Sequence, residues 1–509
     1  MIYDAIVIGG GVVGCSALRY LSAYAGNYLL LEKEAEVATG ASAANSGIVH
    51  TGYDCEPGTN KARFNVAGAN RMEEVCRALH VSYQKTGSLV VGREQDLPEL
   101  QKLLSQGEQN GVKNLRILER EEFLRIQPDV NASYRYALYS PDTAIVSPYN
   151  LTIAYAESAI VNGSAVLTGA EVTAVERKDD LFRLHTKKGE FVARYLINAA
   201  GANCAAVNDL SGGTPFTVTY RKGEYYVADK QQPGKEQIKT VVYPCPNEMG
   251  KGILVVPTTA GNLLYGPTAE NIQNYETEVS RQGLSAVRTA TSSLIDGLKF
   301  NGTIRVFAGV RVLSGHDFIV KEDERVPGLF TFGGICSPGL SASPALGEEA
   351  ALCAARYLKK EKKKEVLPLP PRVRVKNLTE EEKNALIRKD PRYGKVVCRC
   401  ETVTEGEILA ELSRPLPPKT LDGFKRRLRT GMGRCQGGFC WPRMAELLTE
   451  NGVPLAEITK AGAGTEIVVS EIKAGLPARF ADNKEQPANS VKAASVKSAD
   501  FAGKEGADL

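Results

Sequence analysis

The stretch Asp4-Ala5-Ile6-Val7-Ile8-Gly9-Gly10-Gly11-Val12-Val13-Gly14 decides the fold of this chain. Its apolar first half predicts a buried parallel strand, and its second half carries glycines in the spacing G-x-G-x-x-G. Small and apolar residues at 15–25 then predict a helix, and residues 28–31 predict a second strand that ends at Glu32. A strand, a glycine-rich turn, a helix and a strand in this order predict a dinucleotide-binding α/β unit.

Each residue of this motif has a physical task. Gly9 permits the tight turn, Gly11 lets the backbone approach a pyrophosphate, and Gly14 lets the helix pack closely on the strand. The free N–H groups at the helix N-terminus attract the phosphates, and Glu32 accepts hydrogen bonds from the ribose hydroxyls. The motif alone fits FAD and NAD equally, and its position at the very start of the chain favours FAD.

A second segment supports a large planar cofactor. Thr39-Gly40-Ala41-Ser42-Ala43-Ala44-Asn45-Ser46-Gly47-Ile48-Val49-His50 consists mostly of small and hydroxyl-bearing residues. Such a run brings the backbone close to a cofactor and supplies hydrogen-bond donors, and a plain surface loop is the alternative. We expect Ser42, Asn45, Ser46 and Gly47 to contact the cofactor.

Length and composition limit the class of protein. A chain of 509 residues exceeds one ordinary core and predicts two to four domains. The net charge is only +4, which gives no indication of a nucleic acid partner, and no apolar run is long enough to span a membrane. The eleven cysteines are odd in number, four of them cluster late in the chain, and the first residues enter a strand without a signal peptide. We therefore expect a cytoplasmic protein, with peripheral attachment to a membrane left open.

Four segments together resemble the D-amino-acid-oxidase-like FAD superfamily. They are the N-terminal glycine motif, residues 40–50, Arg221-Lys222-Gly223-Glu224-Tyr225-Tyr226 and Gly309-Val310-Arg311. Within that superfamily, residues 1–355 look like the glycerol-3-phosphate dehydrogenases and the L-2-hydroxyglutarate oxidases. The resemblance implies an α/β FAD-binding Rossmann-like domain with an interleaved α+β substrate domain.

The resemblance also implies where the domains divide. The FAD-binding domain would comprise residues 1–80, 145–205 and 305–360, and the substrate domain residues 81–144 and 206–304. Residues 195–201 read as an apolar strand that ends in small residues, after which Gly201 would approach FAD, with Val172 on the adenine side. Residues 329–334 read as another buried strand, and the turn and helix behind it would bring Gly334, Gly339 and Leu340 to the flavin pyrimidine.

The substrate site needs a cation for an anionic substrate and a base for its hydroxyl proton. Arg311 matches the family's G-V-R motif and can hold a carboxylate or phosphate bidentately; a structural salt bridge is the alternative. His50 is the candidate base, although a single histidine is as often structural. Lys222 and Tyr225 are expected to support the site. The sequence does not distinguish a phosphate from a carboxylate substrate.

Four cysteines near the C-terminal end form a ligand pattern. Cys398-Arg399-Cys400 and Cys435-Gln436-Gly437-Gly438-Phe439-Cys440 give C-x-C and C-x-x-x-x-C in loops between short predicted helices. Four thiolates fit a [2Fe–2S] cluster, a structural zinc or an empty, degenerate site. The arrangement resembles the bacterioferritin-associated-ferredoxin-like [2Fe–2S] module, which implies a small all-α unit over residues 393–455. Residues 361–392 would be a proline-containing linker, and residues 481–509 a disordered tail.

These observations predict an FAD-dependent oxidoreductase that oxidises a small anionic hydroxy substrate. The first hypothesis is oxidation of glycerol 3-phosphate to dihydroxyacetone phosphate, with electrons passed through a [2Fe–2S] cluster to a partner subunit such as a second flavoprotein. The alternatives are an L-2-hydroxyglutarate or other 2-hydroxy acid dehydrogenase or oxidase, and a non-catalytic FAD-binding scaffold. The intact glycine motif together with His50 and Arg311 argues against the scaffold.

Overall fold

The N-terminal motif folds as the predicted strand, helix and strand. In the computed structural model, which describes residues 1–230, 238–246 and 250–468, the first strand is Ile2–Ile8 and the second is Tyr28–Glu32. The helix between them, Val12–Leu21, begins three residues earlier than expected because Gly11 already occupies the N-cap. The predicted tail, residues 481–509, lies outside the described residues.

In chain order, the strands β1 to β22 are Ile2–Ile8, Tyr28–Glu32, Ile48–Val49, Tyr83–Lys85, Ser88–Gly92, Arg116–Glu119, Tyr136–Ser140, Ala144–Val146, Ala165–Thr168, Val172–Lys178, Leu181–Thr186, Gly189–Asn198, Thr219–Ala228, Val241–Pro244, Leu254–Pro257, Leu263–Gly266, Glu270–Ile272, Thr303–Leu313, Ile319–Glu322, Leu329–Gly333, Val396–Cys398 and Val403–Thr404. The helices α1 to α12 are Val12–Leu21, Asn60–Ala78, Leu97–Gln109, Arg120–Ile126, Pro148–Val161, Cys204–Leu210, Arg281–Leu294, Gly339–Leu358, Glu380–Lys389, Glu405–Glu411, Leu421–Leu428 and Cys440–Glu450.

The first sheet carries the dinucleotide-binding unit. Its strands run in the order β10, β11, β12, β1, β2 and β9, and β20 pairs with the second half of β12. The central strands β12, β1, β2 and β9 are parallel, and nearly all apolar side chains of β1, β2 and the second half of β12 are buried, on both faces, as the continuous apolar runs predicted. Helices α1, α5 and α8 cover one face of this sheet, and α2 packs on α8. The predicted cofactor residues of the first motif therefore lie at the carboxyl end of β1.

The second sheet is mostly antiparallel. Its order is β17, β13, β16, β15, β14, β5, β7 and β6, and the long strand β18 pairs with β13 along its whole length. Residues from two distant parts of the chain meet in it, because β5 pairs with β14 in parallel. The predicted division into interleaved domains stays a prediction; β18, which contains Arg311, is a strand of this second sheet.

The cysteine-rich segment folds as a small helical module. Helices α10, α11 and α12 surround a core of apolar residues that includes Phe424 and Met444, as their patterns predicted. A short two-stranded ladder, β21 and β22, adds to these helices and holds the first cysteine pair.

The segment that precedes this module is fixed by buried contacts. Leu369 belongs to the main apolar core. Arg372 donates to Glu157 of α5 at 2.7 Å and to Glu411 of α10 at 2.9 Å. Residues 361–392 therefore connect the module to the first sheet through packed structure, with helix α9 as part of it. None of the helices described is long and apolar enough to cross a membrane.

Candidate active site and cofactor sites

The glycines of the N-terminal motif differ in what surrounds them. A Cβ on Gly9, whose φ is +110°, would overlap the carbonyl oxygen of Ala199, and one on Gly14 would overlap that of Gly9. These two glycines are therefore needed for packing within the protein. A Cβ on Gly11 would meet only the Ser42 hydroxyl, at 3.3 Å. Protein packing does not explain Gly11, whereas the close approach of a pyrophosphate does, so the residues present fit a dinucleotide.

Ser42 and Glu32 lie on either side of this turn. The Ser42 hydroxyl accepts a hydrogen bond from the Val12 N–H at 2.8 Å, at the start of α1. The Glu32 carboxylate accepts the N–H groups of Gly10, at 2.5 Å, and Glu34, at 2.8 Å. Burial raises the pKa of Glu32, and these two hydrogen bonds oppose that shift. Glu32 thus shapes the turn through the backbone, in addition to the contact with ribose that its position predicts.

The adenine side of the predicted site is formed by the chain just before β10. Ala170 N–H donates to the Glu32 carbonyl, and Gly169 N–H donates to that of Glu34. Val172 follows at the start of β10 and is partly exposed. The structure therefore brings Val172 close to the end of β2, where the adenosine half of a dinucleotide is expected.

The small-residue segment turns tightly between the two sheets. Asn45 Oδ1 accepts the Gly47 N–H at 2.8 Å, which closes the turn. Ser46 shares a hydrogen bond with the Tyr225 hydroxyl at 3.3 Å. A Cβ on Gly309 of β18 would overlap the carbonyl oxygen of Ala44. The segment expected to contact the flavin is thus pressed against β13 and β18 of the second sheet.

The late glycines frame the same region from the opposite side. Gly334 adopts a φ of +62° beside Ser314, just beyond β18. Gly339 and Leu340 begin α8, and Ser341 in its first turn accepts the backbone N–H of His50 at 2.8 Å. The first turn of α8 is therefore joined directly to His50.

Gly201, with a φ of +57°, has no atom within 4 Å of its Cβ position, so that position is open.

His50 lies in a buried cluster of polar side chains. Its Nδ1 is 3.3 Å from the Tyr243 hydroxyl and 3.3 Å from the Lys251 ammonium. Lys251 forms a salt bridge of 2.6 Å with Asp54, which follows His50 by four residues. The cluster joins the end of the small-residue segment to β14 and to the loop behind it.

The charges of this cluster set the protonation state of His50. Burial lowers the pKa of His50 from its ordinary 6.5 to about 3, and the positive charges of Lys251 and Arg311 add to this effect while Asp54 opposes it. His50 is therefore neutral at physiological pH and has a lone pair that can accept a proton. Burial would raise the pKa of Asp54, but Lys251 and His50 outweigh that effect, so the carboxylate is ionised.

Arg311 faces the same space from β18. It lies opposite Arg221 of β13, and its charge also lowers the pKa of Tyr225 against the larger, opposing effect of burial. Within the described part of the chain, no carboxylate forms a salt bridge with Arg311. A partly buried guanidinium without a carboxylate partner can receive an anion.

Lys251, Asp54 and Tyr243 could not be predicted from the sequence, because no local motif marks these three residues. Lys222, which was expected to support the site, forms ion pairs with Glu224, Glu270 and Glu276 at 3.6, 3.4 and 3.1 Å. Its charge is thus compensated, in contrast to that of Arg311.

The four cysteines of the module come together as two pairs. The Cys398 thiol contacts Cys440, and the Cys435 thiol contacts Cys400. The hydrogen bond with Cys440 lowers the pKa of Cys398 to about 6 against the effect of burial, and the backbone N–H groups of Glu401 and Gly431 contribute. The pKa of Cys435 is also lowered, first by the Phe439 N–H.

This pairing distinguishes the two metal sites that the sequence left open. Two adjacent thiol pairs match two irons that each take two cysteine ligands. The donor set therefore fits a [2Fe–2S] cluster better than a tetrahedral zinc ion.

The module contacts the segments that surround the active site. The Tyr149 hydroxyl at the start of α5 accepts from Arg429 at 3.2 Å and lies 3.6 Å from the Met432 sulfur. Pro148 beside it is 3.5 Å from the Cβ position of Gly47. On the other side, Arg305 of β18 bonds to Gln436, next to Cys435. The cysteine loop therefore contacts α5, next to the proline that packs on the small-residue segment, and the end of β18 that lies away from Arg311.

Comparison with known proteins agrees with this geometry. Residues 4–352 match the family model of FAD dependent oxidoreductases, and residues 396–450 match that of BFD-like [2Fe-2S] binding domains. These matches confirm the predicted fold class and the predicted cofactors, FAD and a [2Fe–2S] cluster.

Individual proteins that are similar to this chain include dehydrogenases and an oxidase. A glycerol 3-phosphate dehydrogenase of Caloramator mitchellensis is 40% identical over 477 residues, which cover 92% of this chain and 99% of the relative. A mitochondrial L-2-hydroxyglutarate dehydrogenase of Caenorhabditis briggsae is 30% identical, over 59% of this chain and 70% of the relative. The structure of reduced L-alpha-glycerophosphate oxidase from Mycoplasma pneumoniae with FAD bound has a TM-score of 0.68 and 28% identity; it covers 73% of this chain and 99% of its own.

Proposed function

Because the chain belongs to the family of FAD dependent oxidoreductases, we propose that it oxidises glycerol 3-phosphate to dihydroxyacetone phosphate and passes the electrons to a partner protein. The observation that carries the proposal is the neutral His50 beside two cations, Lys251 and Arg311, of which Arg311 has no carboxylate partner among the described residues. A base next to an anion site is what the oxidation of an anionic alcohol requires.

FAD, when bound, supplies the acceptor for the hydride of the substrate alcohol. His50 takes the hydroxyl proton. Because the Lys251 ammonium can only donate, Nδ1 is the acceptor in this pair and the ring hydrogen is on Nε2. The Nδ1 lone pair therefore takes the substrate proton once the substrate anion has drawn the Lys251 ammonium towards itself. Ser341 holds the His50 backbone and Tyr243 fixes its ring, so the base needs little reorganisation.

The substrate anion controls the basicity of His50. Lys251 and Arg311 both lower the pKa of His50. A phosphate bound to these two cations offsets their charges and thereby raises the pKa of His50. The imidazole becomes a better proton acceptor only when the anion is in place, so proton transfer is coupled to substrate binding.

A 2-hydroxy acid is the second candidate substrate. Arginine and lysine bind a carboxylate as well as a phosphate, and the Caenorhabditis briggsae relative is named for L-2-hydroxyglutarate. We place glycerol 3-phosphate first because the dehydrogenase of that name from Caloramator mitchellensis matches more of this chain at higher identity.

The iron–sulfur module favours a dehydrogenase over an oxidase. The Mycoplasma pneumoniae oxidase matches 73% of this chain over 99% of its own length. The Caloramator mitchellensis dehydrogenase matches 92% of this chain, also over 99% of its own length. The additional matched length of the dehydrogenase is consistent with a counterpart of the module. A [2Fe–2S] cluster accepts single electrons, which dioxygen as acceptor does not require. The acceptor that we propose is a redox protein, such as a second flavoprotein.

The cysteines support our proposal of an intracellular site of action. All eleven cysteines are free, and the pKa values of the buried Cys15 and Cys55 thiols are raised by burial. Free thiols persist in a reducing compartment. We propose the cytoplasm as that compartment.

An anaerobic reduction series tests the proposed substrate. The FAD-loaded protein is mixed under argon with glycerol 3-phosphate, L-2-hydroxyglutarate, L-lactate or glycerol, and the visible flavin band is followed. We expect glycerol 3-phosphate to bleach the band fastest and glycerol, which lacks the anion, to leave it unchanged. Faster bleaching by L-2-hydroxyglutarate would assign the second candidate function, and bleaching by none would refute both.

A further inference from the structure

The two cysteine pairs differ in their access to solvent. Cys398 and Cys440 are buried, whereas Cys400 and Cys435 are exposed. One edge of the four-thiol site therefore reaches the surface of the molecule. An exposed metal-ligand edge is where an electron can leave with the shortest path to a second protein.

An exposed aromatic residue and two arginines surround this edge. Phe439, which precedes the ligand Cys440, is 56% exposed. The guanidinium of Arg399 lies 4.6 Å from the centre of its ring. Arg434, which precedes Cys435, is also exposed. We call Arg399, Cys400, Arg434, Cys435 and Phe439 the thiol face.

The thiol face has a positive charge that its neighbours compensate only in part. Arg434 is paired with Asp229, but no described carboxylate forms a salt bridge with Arg399. Arg305, on the rim, bonds to the neutral side chain of Gln436. The acidic residue nearest in sequence, Glu401, is buried and bonded to Arg429 and Lys230. The face therefore presents an exposed aromatic ring within a net cationic surface.

We propose that the thiol face is the docking surface for the electron-accepting partner, and that this partner presents an acidic surface around its own redox centre. The inference rests on the proposed function, since it requires that electrons leave through the module. Exposed aromatic residues and arginines are the residue types that carry most binding energy in protein interfaces. Electron-transfer contacts are small and short-lived, so one ring and a few charges suffice to orient them.

The charge pattern favours a protein partner over a membrane. Around a redox centre, opposite charges speed the encounter and orient the two centres. A membrane surface would require several lysines or arginines together with a broader apolar face, and the thiol face offers one exposed aromatic side chain. A second copy of this chain would bring the same positive charges together, which disfavours association.

Two haem proteins of opposite charge serve as probes. Cytochrome b5 carries carboxylates around its haem edge, and cytochrome c carries lysines. The holoenzyme is reduced by light and a deazaflavin, without substrate, so that the test does not depend on which alcohol is oxidised. Haem reduction is then followed in a stopped-flow instrument at low and high salt. Iron–sulfur absorption and electron paramagnetic resonance spectra confirm an intact cluster in every variant.

Arg399→Glu and Phe439→Ser are compared with Arg388→Glu, the same charge change on the exposed face of α9. We expect cytochrome b5 to be reduced by the wild type at a rate that falls with salt, and Arg399→Glu to lower that rate by about tenfold at low salt. Phe439→Ser should lower it at both salt concentrations, since the apolar contact is not screened. Arg388→Glu should stay within about twofold of the wild type.

Four outcomes would overturn the proposal. The first is an unchanged cytochrome b5 rate in both thiol-face variants. The second is faster reduction of cytochrome c than of cytochrome b5 at low salt, with the driving force taken into account. The third is a wild-type dimer in analytical ultracentrifugation that Phe439→Ser dissociates. The fourth is Arg399-dependent binding to anionic phospholipid vesicles. Failure of glycerol 3-phosphate to bleach the flavin would instead refute the proposed substrate and leave these rates interpretable.

Discussion

At the scale of single residues, the position of Lys251 between Asp54 and His50 has the largest consequences for the proposed reaction. Its ammonium is 2.6 Å from the Asp54 carboxylate and 3.3 Å from His50 Nδ1. Asp54 keeps the lysine in place, and burial together with the charge of the lysine keeps the histidine neutral. The same ammonium is available to an incoming anion, so one residue links the binding of substrate to the state of the base.

Replacement of Lys251 by methionine should change how activity depends on pH. In the wild type, His50 stays neutral well below pH 6, so kcat/KM should show no loss from its protonation in that range. Without the lysine, burial and the charge of Arg311 still lower the pKa of His50, but the larger of the two opposing cations is gone and Asp54 raises the pKa above its wild-type value. We expect an acid limb, in which kcat/KM falls as the pH is lowered, to appear in Lys251→Met when steady-state rates are measured from pH 5 to pH 9.

Arg311→Lys is the matched control, because it keeps the charge and changes only the geometry. The pKa of His50 should stay low, so no acid limb should appear. The loss of the bidentate contact should raise KM by about ten- to a hundredfold. An identical pH profile for Lys251→Met and the wild type would show that Lys251 does not act on His50.

His50 and Arg311 could be predicted from the sequence because each belongs to a motif. His50 ends a recognisable run of small residues, and Arg311 belongs to a G-V-R motif at the end of a strand-like stretch. Lys251 is one of 63 lysines and arginines and lies in no motif, and its partners precede it by about 200 residues. Only the pairing of β14 with β5 brings its loop to His50.

At the scale of elements, the turn between β1 and α1 is where local sequence is most informative. Gly9 and Gly14 are required by packing, and Gly11 leaves space that no protein atom other than the Ser42 hydroxyl approaches. The residues that require these glycines are mostly close in sequence, so the turn could be predicted from the motif alone. The packed structure of residues 361–392 was not predictable from local sequence. Arg372 and Arg374 form their salt bridges with Glu157 and Glu407, which are distant in sequence, only in the folded chain.

Gly11→Val should abolish FAD binding and leave the protein folded. Its side chain would occupy the space beside Ser42 and the N-terminus of α1, where the pyrophosphate is expected. Flavin released on denaturation and far-ultraviolet circular dichroism would be measured together. A folded variant with a full complement of FAD would contradict the cofactor site assigned here.

The loop that follows β2 depends on the iron–sulfur module. Glu36 is 3% exposed and bonds to the guanidinium of the fully buried Arg427 at 3.0 Å, and it accepts the N–H groups of Lys419 and Thr420. The same loop is tied to the glycine turn, because Ala38 N–H donates to the Gly10 carbonyl. The module therefore supports the adenosine side of the predicted FAD site.

Arg427→Met should lower the free energy of unfolding by about 3–5 kcal/mol, because it leaves the Glu36 carboxylate buried without its cation. Glu36→Gln combined with Arg427→Met should recover part of that loss, since no uncompensated charge remains. Urea denaturation of the two single variants and the double variant gives the coupling energy. A loss below about 1 kcal/mol for Arg427→Met would match a solvent-screened pair and contradict this account.

At the scale of the whole molecule, the residues from Met1 to Ile467 form one compact unit. Composition predicted a proline-containing linker before the module. The structure fixes the module through Glu36, Glu157 and Tyr149, three residues of the N-terminal third of the chain. A fixed module places the thiol pairs at a constant distance from the small-residue segment, which suits repeated electron transfer between the two sites.

The central claim is that the flavin site oxidises the substrate and that the module carries the electrons away. An anaerobic stopped-flow experiment on the wild type and Cys435→Ser, with glycerol 3-phosphate as substrate, tests it most directly. We predict equal rates of flavin bleaching in both proteins, because Cys435 does not contact the alcohol site. We also predict that turnover with a protein acceptor and the electron paramagnetic resonance signal of the reduced cluster are lost in Cys435→Ser. Full turnover by the Cys435→Ser protein would contradict the account, because electrons would then leave without the cluster.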